Sequence, residues 1–197
     1  MDEKLAIQKG REWMKKSKDS THDYRHAKNV ENYSLEIFKS LKESGWNINP
    51  EIDENLILLC AWWHDCYKAL FEKKVLINEF LEGIRSAQIA EKELKGLVSE
   101  KRLEMVLSAI RVHNNFLYIL FSGKRLPVLT RILIEADTID AKKGERKERI
   151  KSYSSRSFFH RVVIFFAEPI LRILRRIYVK SPYAKCQLGL MNNKKKQ

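Results

Sequence analysis

Glycine and proline are scarce in this sequence, which contains seven glycines and four prolines among 197 residues. Because these residues form many turns, their scarcity argues against a turn-rich β-sandwich or barrel and favours long helices. No uninterrupted apolar run is long enough to cross a bilayer, and the charged N-terminal segment is not typical of a secretory signal. Three cysteines, an odd number, do not indicate a disulfide framework. We therefore expect one well-packed cytoplasmic domain.

Apolar residues recur at helical spacing along the first 141 residues. A stripe over residues 30–41 predicts one helix, with a capping residue expected at Ser20 or Thr21. Residues 56–63 follow a cap expected at Asp53 and are apolar on all sides, which predicts the buried central helix. No segment alternates convincingly with a period of two, so the expected fold class is all-α. Further helices are expected over residues 2–18, 82–95, 101–117 and 127–141.

The positive charge is unevenly distributed. Residues 142–197 carry the entire formal net charge of +13, and residues 1–141 are neutral overall. We expect a helical domain over residues 1–155 and a basic amphipathic helical extension over residues 156–197 that packs on it, with a disordered lysine-rich end. The extension completes the core or a dimer interface, contacts a membrane surface, or binds nucleic acid, and the sequence leaves these alternatives open.

Three helices place ionisable residues where the apolar pattern predicts a buried side. The apolar central helix ends in His64 and Asp65, while His26 and Asp137 extend the apolar stripes of two other helices. Burial of such groups is unfavourable unless a metal ion, an ion pair or hydrogen bonds compensate for it. Each residue alone is compatible with a hydrogen-bonded core position. Together, two imidazoles and two carboxylates from three helices favour a metal site.

The order of these residues resembles that of the HD-domain metal-dependent phosphohydrolases of the small bacterial type. Residues 22–30 (HDYRHAKNV) are similar to the opening motif of the family, and residues 58–68 (LLCAWWHDCYK) are similar to the helix that ends in its His-Asp pair. Residues 133–141 (LIEADTIDA) resemble the helix with its last aspartate. The resemblance covers residues 20–141 and implies a compact, multi-helix HD-domain fold.

The resemblance also implies a ligand set and a reaction. One divalent cation would be bound by His26, His64, Asp65 and Asp137, and it would activate water for attack on a phosphate. This set suits Mn, Fe, Mg, Co, Ni or Zn and does not choose among them. Asp65 and Lys68 are the implied catalytic residues. Lys68 matches the lysine that follows His-Asp in the family and would hold a substrate phosphate, unless it lies at a solvated helix end.

Neighbouring residues have alternative interpretations. Arg25 would contact the substrate, and His113 would either bind substrate or be a hydrogen-bonded core histidine. Asp23 either orients the ligand histidine or caps its helix, and the cap is favoured. Asp140 either binds substrate or lies at a solvated helix terminus. The two histidines expected on the surface are His22 and His160.

The sequence departs from the family pattern at several positions. Asn29 stands where the family usually has arginine, and Tyr67 stands where it often has glycine, which puts the substrate contacts in doubt. Members with two or three metals have additional histidines, whereas only His113 is available here, so a mononuclear site is expected. The stretch after Asp140 is strongly basic, unlike that of related small hydrolases.

Two functions from different classes are compatible with these patterns. The first is a cytoplasmic metal-dependent phosphohydrolase that acts on a nucleotide or another small phosphorylated substrate. The second is a catalytically silent module that binds metal or nucleotide and docks to a partner, a membrane or a nucleic acid through its basic C-terminal region. A homo-oligomer is compatible with both. A third interpretation, a nucleic-acid-binding helical protein with a coincidental His-Asp pattern, requires a protein without metal.

Overall fold

The computed structural model describes residues 1–70, 76–115, 118–119, 122, 125–143, 146–148 and 178–190, with the backbone alone for residues 76–80. Within these ranges the chain forms helices and no β-strand, which confirms the expected all-α class. No helix among them is long and apolar enough to span a lipid bilayer. The helices are α1 (Glu3–Lys15), α2 (Tyr24–Glu43), α3 (Glu54–Trp63), a 3₁₀ turn (Lys68–Leu70), α4 (Leu76–Leu94), α5 (Glu100–Val112), α6 (Val128–Lys142) and α7 (Pro182–Gln187).

Helix α3 lies at the centre of the fold, as its apolar sequence predicts. It packs against α1, α2, α5 and α6. At its C-terminal end Trp62 and Trp63 are fully buried, and Trp63 Nε1 donates a hydrogen bond to the Ala6 carbonyl at 3.1 Å. Each large apolar side chain buried in this way contributes on the order of 2 kcal/mol to folding. The end of α3 is therefore held on several sides, and so are the polar residues that follow it.

Aspartates cap the two helices that lead to the site. Asp53 Oδ1 accepts a backbone hydrogen bond from the first turn of α3 at 2.9 Å, which confirms its predicted role. In α2 the cap is Asp23, whose Oδ1 accepts from the His26 amide at 2.9 Å. The prediction of a cap at Ser20 or Thr21 was wrong, because the chain there forms a turn and α2 begins only after Asp23.

Three further helix boundaries differ from those predicted. Helix α1 ends at Lys15 rather than at residue 18. Helix α4 begins at Leu76 rather than at residue 82, and α5 ends at Val112 rather than at residue 117. The ring of His113 donates from Nδ1 to the Ile110 carbonyl at 2.7 Å, so a side chain takes a carbonyl that the next turn of helix would have used.

The basic C-terminal region is described in part. Residues 156–177 lie outside the described residues, as does the lysine-rich end. Residues 178–190 lie against α2 and α6. The buried carboxylate of Glu135 accepts from the Ser181 hydroxyl, and Arg131 donates to a backbone carbonyl of the same segment. This short segment is therefore joined to the helical core by hydrogen bonds from α6.

Glycine at position 83 lets α4 approach α5 closely. A β-carbon at Gly83 would lie 2.7 Å from the Arg111 carbonyl oxygen and 2.8 Å from the Ile110 carbonyl oxygen. Both are backbone atoms, so they cannot rotate away as a flexible side chain would. This contact places the residue before it, Glu82, beside the C-terminal end of α5.

We expect Gly83→Ala to destabilise the protein by about 1–3 kcal/mol, because the added methyl group forces the two helices apart. Equilibrium denaturation would measure the change. Gln88→Ala, on an exposed position of the same helix, is the control and should have little effect. Alanine has a higher helix propensity than glycine. A Gly83→Ala protein that is more stable than wild type would therefore mean that no steric clash opposes this gain, which would contradict the close packing.

A buried carboxylate, Glu31, connects α2 to α1 and α3. It accepts hydrogen bonds from Trp62 Nε1, from Lys28 Nζ and, at 3.1 Å, from Arg11 Nη2. Burial alone would raise the pKa of Glu31, but these three hydrogen bonds outweigh it and lower the pKa below its ordinary value.

A carboxylate with a lowered pKa in the folded state stabilises the fold above its unfolded pKa, and this contribution disappears as the pH falls through the folded value. We therefore expect Glu31→Gln to cost about 1.5–3 kcal/mol of unfolding free energy at pH 7. The difference from wild type should shrink below about pH 4. Urea denaturation at both pH values would measure it, with the exposed Glu36→Gln as control. A difference that does not change with pH would contradict this role.

Candidate metal centre

Four side chains from three helices converge at one point. His26 lies in the first turn of α2, His64 and Asp65 directly follow α3, and Asp137 lies on α6. The His26 Nε2 atom is 3.0 Å from His64 Nε2 and 3.0 Å from Asp65 Oδ2. The Asp137 Oδ1 atom is 3.6 Å from the same nitrogen. The structure thus brings together the four residues that the resemblance implies as ligands.

The spacing of these atoms fits a metal ion. Ligand atoms about 2.1 Å from a cation, and at right angles to each other, are about 3.0 Å apart. The His64 Nε2 and Asp65 Oδ2 atoms are 3.3 Å apart, and each is 3.0 Å from His26 Nε2. Without a proton or a cation between them, two ring nitrogens this close would repel each other through their lone pairs. The donor set therefore fits one divalent cation.

The opposite ring nitrogen orients each ligand histidine. His64 Nδ1 donates to the Ala61 carbonyl at 2.9 Å, so its Nε2 is the nitrogen without hydrogen. His26 Nδ1 lies 2.7 Å from Asp140 Oδ2, and Asn29 Nδ2 donates to the other oxygen of this carboxylate at 2.7 Å. A carboxylate that holds Nδ1 of a metal-binding histidine fixes the ring and makes Nε2 a stronger ligand.

A guanidinium group covers the side of the centre formed by α6. Arg146 Nη1 donates to Asp137 Oδ1 at 2.7 Å and to Asp140 Oδ2 at 3.1 Å, and it lies 2.6 Å from His26 Nδ1. The Arg146 side chain is only 6% exposed, whereas that of Asp137 is 31% exposed. Arg146 therefore fixes the orientation of the outermost ligand.

Further titratable groups surround the other side of Asp65. His113 Nε2 lies 3.6 Å from Asp65 Oδ1, and His22 Nε2 lies 3.8 Å from Asp65 Oδ2. Lys68 Nζ lies 2.6 Å from Glu82 Oε2 and 3.3 Å from His22 Nε2. All of these side chains are buried or nearly so. Asp65 is thus shared between two neighbouring groups of metal-ligand type, one with His64 and His113 and the other with His22 and Glu82.

The charges around the centre are strongly coupled. Burial alone would raise the pKa of Asp65, but the imidazoles of His64 and His22 lower it well below its usual value. Burial would likewise raise the pKa of Asp137, and the positive charge of Arg146 outweighs that effect, so this carboxylate also has a lowered pKa. Burial raises the pKa of Glu82 well above normal even though Lys68 lies against it. Of these three carboxyl groups, Asp65 and Asp137 thus favour the ionised form and Glu82 favours the protonated form.

The pKa values of the three histidine rings shift in different directions. Burial lowers the pKa of His64, and burial together with the charge of Lys68 lowers the pKa of His22 further. For His26, burial and Arg146 oppose protonation, but the carboxylates of Asp140 and Asp65 prevail and raise the pKa. A metal ion at Nε2 would have to displace that proton, so metal affinity should fall as the pH is lowered.

Some expectations about neighbouring residues need correction. His22, expected on the surface, is buried with Nδ1 2.9 Å from Asp19 Oδ2, because the turn before α2 folds inward. Lys68 is not at a solvated helix end, since its Nζ is paired with a buried carboxylate. Asp140 is also buried rather than solvated. Arg25 is exposed on the first turn of α2, and His160 lies outside the described residues.

Sequence reasoning missed three residues of the centre. The sequence predicts His22 on the surface, places Glu82 only at the start of a helix, and includes Arg146 in a basic stretch. Asp19, three residues before His22, was an available signal, because aspartate commonly orients a histidine ring. For Glu82 and Arg146 no local pattern distinguishes them from exposed charged neighbours.

The fold and the site together define a helical domain in which histidines and aspartates from three helices converge at one point and are positioned to hold a metal ion. A family model, that of the HD domain, matches residues 23–142, which is more than half of the chain. The chain therefore belongs to the HD-domain family, whose superfamily is that of metal-dependent phosphohydrolases. No curated protein and no solved structure matches the chain significantly.

We expect Asp140→Asn to weaken manganese binding by about 10–100-fold, because His26 loses the carboxylate that orients its ring. Calorimetric titration of the purified protein with Mn²⁺ would measure the affinity. Asp53→Asn is the matched control. Asparagine also caps helices, and Asp53 lies at the end of α3 opposite to His64 and Asp65. Unchanged affinity in Asp140→Asn would contradict the role of this carboxylate.

Proposed function

We propose that this protein is a metal-dependent phosphohydrolase that cleaves a phosphate ester or anhydride of a nucleotide or a related small phosphate. The observation that supports this best is the convergence of His26 Nε2, His64 Nε2 and Asp65 Oδ2 within 3.0–3.3 Å. Asp137 would complete the ligand set from α6. Membership of the HD-domain family supports the same reaction class.

These four residues would hold one divalent ion of Mn, Fe, Mg, Co, Ni or Zn. Two imidazoles and two carboxylates suit each of these metals. When bound, such an ion polarises a phosphoryl oxygen and lowers the pKa of coordinated water. The exposed side of Asp137 leaves that part of the centre open to solvent, and a small phosphorylated substrate would enter there.

Basic side chains next to the ligands would bind the substrate phosphate. Arg146 Nε is buried and has no hydrogen-bond partner among the described residues, so a phosphate oxygen would satisfy it. Lys68 supplies a positive charge close to Asp65. Arg25, exposed on the same turn as His26, would contact a more distant part of the substrate.

His113 is positioned to contact the substrate or a water molecule beside it. Its Nδ1 donates to the Ile110 carbonyl at 2.7 Å, which leaves Nε2 without hydrogen and directed towards Asp65. At this position Nε2 would accept a hydrogen bond from water or from a protonated phosphate oxygen of the substrate. Asp65 would act both as a ligand and as a hydrogen-bond acceptor in the same step.

We expect Asp137→Ala to lose bound metal and phosphohydrolase activity together. The activity should fall by more than about 100-fold, which exceeds the loss typical of a residue that only orients a metal ligand. Elemental analysis and a turnover assay with a panel of nucleotides would measure the two effects on the same samples. Asp53→Ala is the matched control, because it removes an aspartate cap and leaves the ligands intact. Its stability should fall by about 1 kcal/mol while its metal content stays at the wild-type level.

Full activity in Asp137→Ala would contradict the ligand assignment. A wild-type protein that binds one ion per chain and turns over none of the nucleotides would instead favour the catalytically silent module. Absence of metal in the wild type, even after addition of manganese, would exclude the phosphohydrolase and a metal-bound module, and would favour a role for the basic C-terminal region.

A further inference from the structure

A second group of metal-ligand type lies beside the first and shares Asp65 with it. One ligand atom each from His22, Asp65 and Glu82 lies within 4.8 Å of the others, and all three side chains are buried. Imidazole and carboxylate groups suit the same divalent ions as the first centre. Such a group would attract a metal ion unless another cation already occupied the position.

The ammonium group of Lys68 is located in this position. Its Nζ lies 2.6 Å from Glu82 Oε2 and 3.3 Å from His22 Nε2. His22 presents Nε2 to the ammonium because its Nδ1 is held by Asp19 Oδ2 at 2.9 Å. Asn114, just after α5, donates from Nδ2 to the same Glu82 oxygen at 2.9 Å. Two of the three groups, the Glu82 carboxylate and the His22 ring, thus contact the lysine directly, and a further residue holds each of them.

We propose that the ammonium group of Lys68 fills a second cation position of the centre, formed by His22, Asp65 and Glu82, and that a divalent metal ion binds there when this ammonium group is removed. A lysine and a metal ion meet the same electrostatic requirement, because either one stabilises adjacent buried carboxylates. The lysine is part of the chain and does not dissociate. It therefore excludes a second ion by occupying the position and by charge repulsion.

This assignment deepens the proposed function and rests on it through Asp65, which belongs to both groups. Under the proposed function the wild-type centre takes a single exchangeable ion, and this assignment explains why, although Asp65 belongs to two groups of ligand type among the described residues. It also gives Lys68 a fixed position in the protein. A substrate phosphate would then lie between the ammonium group, which is a permanent positive charge, and the metal ion, which is an exchangeable one.

The experiment measures manganese per chain in protein that has been loaded with Mn²⁺ and freed of excess ion. We expect one ion in the wild type and in Lys68→Arg, which keeps a positive charge. We expect two ions in Lys68→Ala, which removes the charge and leaves space for an ion. We expect one ion again in Lys68→Ala/His22→Ala, because the second position has lost its only imidazole.

Electron paramagnetic resonance identifies where the additional ion binds. Two Mn²⁺ ions that share the Asp65 carboxylate couple magnetically, so Lys68→Ala should show the spectrum of a coupled pair. One ion in Lys68→Ala, or two uncoupled ions, would overturn the proposal. So would a second ion that persists in the double variant, because it would not depend on His22.

Loss of Lys68 leaves the buried Glu82 and His22 without the ammonium group that contacts both, so Lys68→Ala is expected to be less stable in metal-free buffer. Manganese should restore its stability, and its melting temperature should rise more on addition of Mn²⁺ than that of the wild type. A variant that stays unfolded in the presence of manganese would also overturn the proposal, since the ion would then not replace the lysine.

The two proposals fail in distinguishable ways. If the wild type binds no metal while Lys68→Ala gains one ion that depends on His22, the proposed function is wrong and the second cation position stands. If the wild type binds one ion that depends on Asp137, and Lys68→Ala gains none, the proposed function stands and the second position is wrong.

Discussion

The carboxylate of Asp65 faces four imidazole rings, and the surrounding structure depends on this contact. Its oxygens lie 3.0 and 3.3 Å from the Nε2 atoms of His26 and His64. Those of His113 and His22 are at 3.6 and 3.8 Å. An isolated carboxylate in an apolar interior would be unstable, and the end of α3 is a buried position. The imidazole rings and the cationic side chains around Asp65 therefore stabilise the fold, in addition to any part that they have in the reaction.

The ends of two helices set the orientation of two of these rings. His64 follows α3 and His113 follows α5, and each donates from Nδ1 to the carbonyl three residues earlier, at Ala61 and Ile110. The terminal carbonyls of a helix lack partners within the helix, so a histidine directly after it finds an acceptor there. In each case this leaves Nε2 directed towards Asp65. The same local geometry thus ends the helix and aims the ligand atom.

The sequence was sufficient to predict the all-α class and to select residues that the structure brings close together, namely His26, His64, Asp65 and Asp137. His26, His64 and Asp137 can be recognised because each lies in or directly after an apolar helical stripe. Burial of an ionisable group in such a stripe is unfavourable unless another group compensates for it. Glu82 and Arg146 do not stand out, since both lie among other charged residues. Their burial results from the packing of α4 on α5 and from the position of the chain after α6, which are tertiary contacts without a local sequence signal.

The two ends of the basic stretch return to the same helix. Arg146, after α6, contacts Asp137 on that helix, and the segment that begins at Tyr178 is bonded to Arg131 and Glu135 earlier on it. The described residues on both sides of the intervening chain are thus bonded to α6. Shortening the protein after Glu148 would therefore remove the hydrogen-bond donors of Ser181 from the buried Glu135 carboxylate and the Tyr178 carbonyl that accepts from the buried Arg131 guanidinium. Such a truncation would damage the helix that carries Asp137, and would not simply remove an appendage.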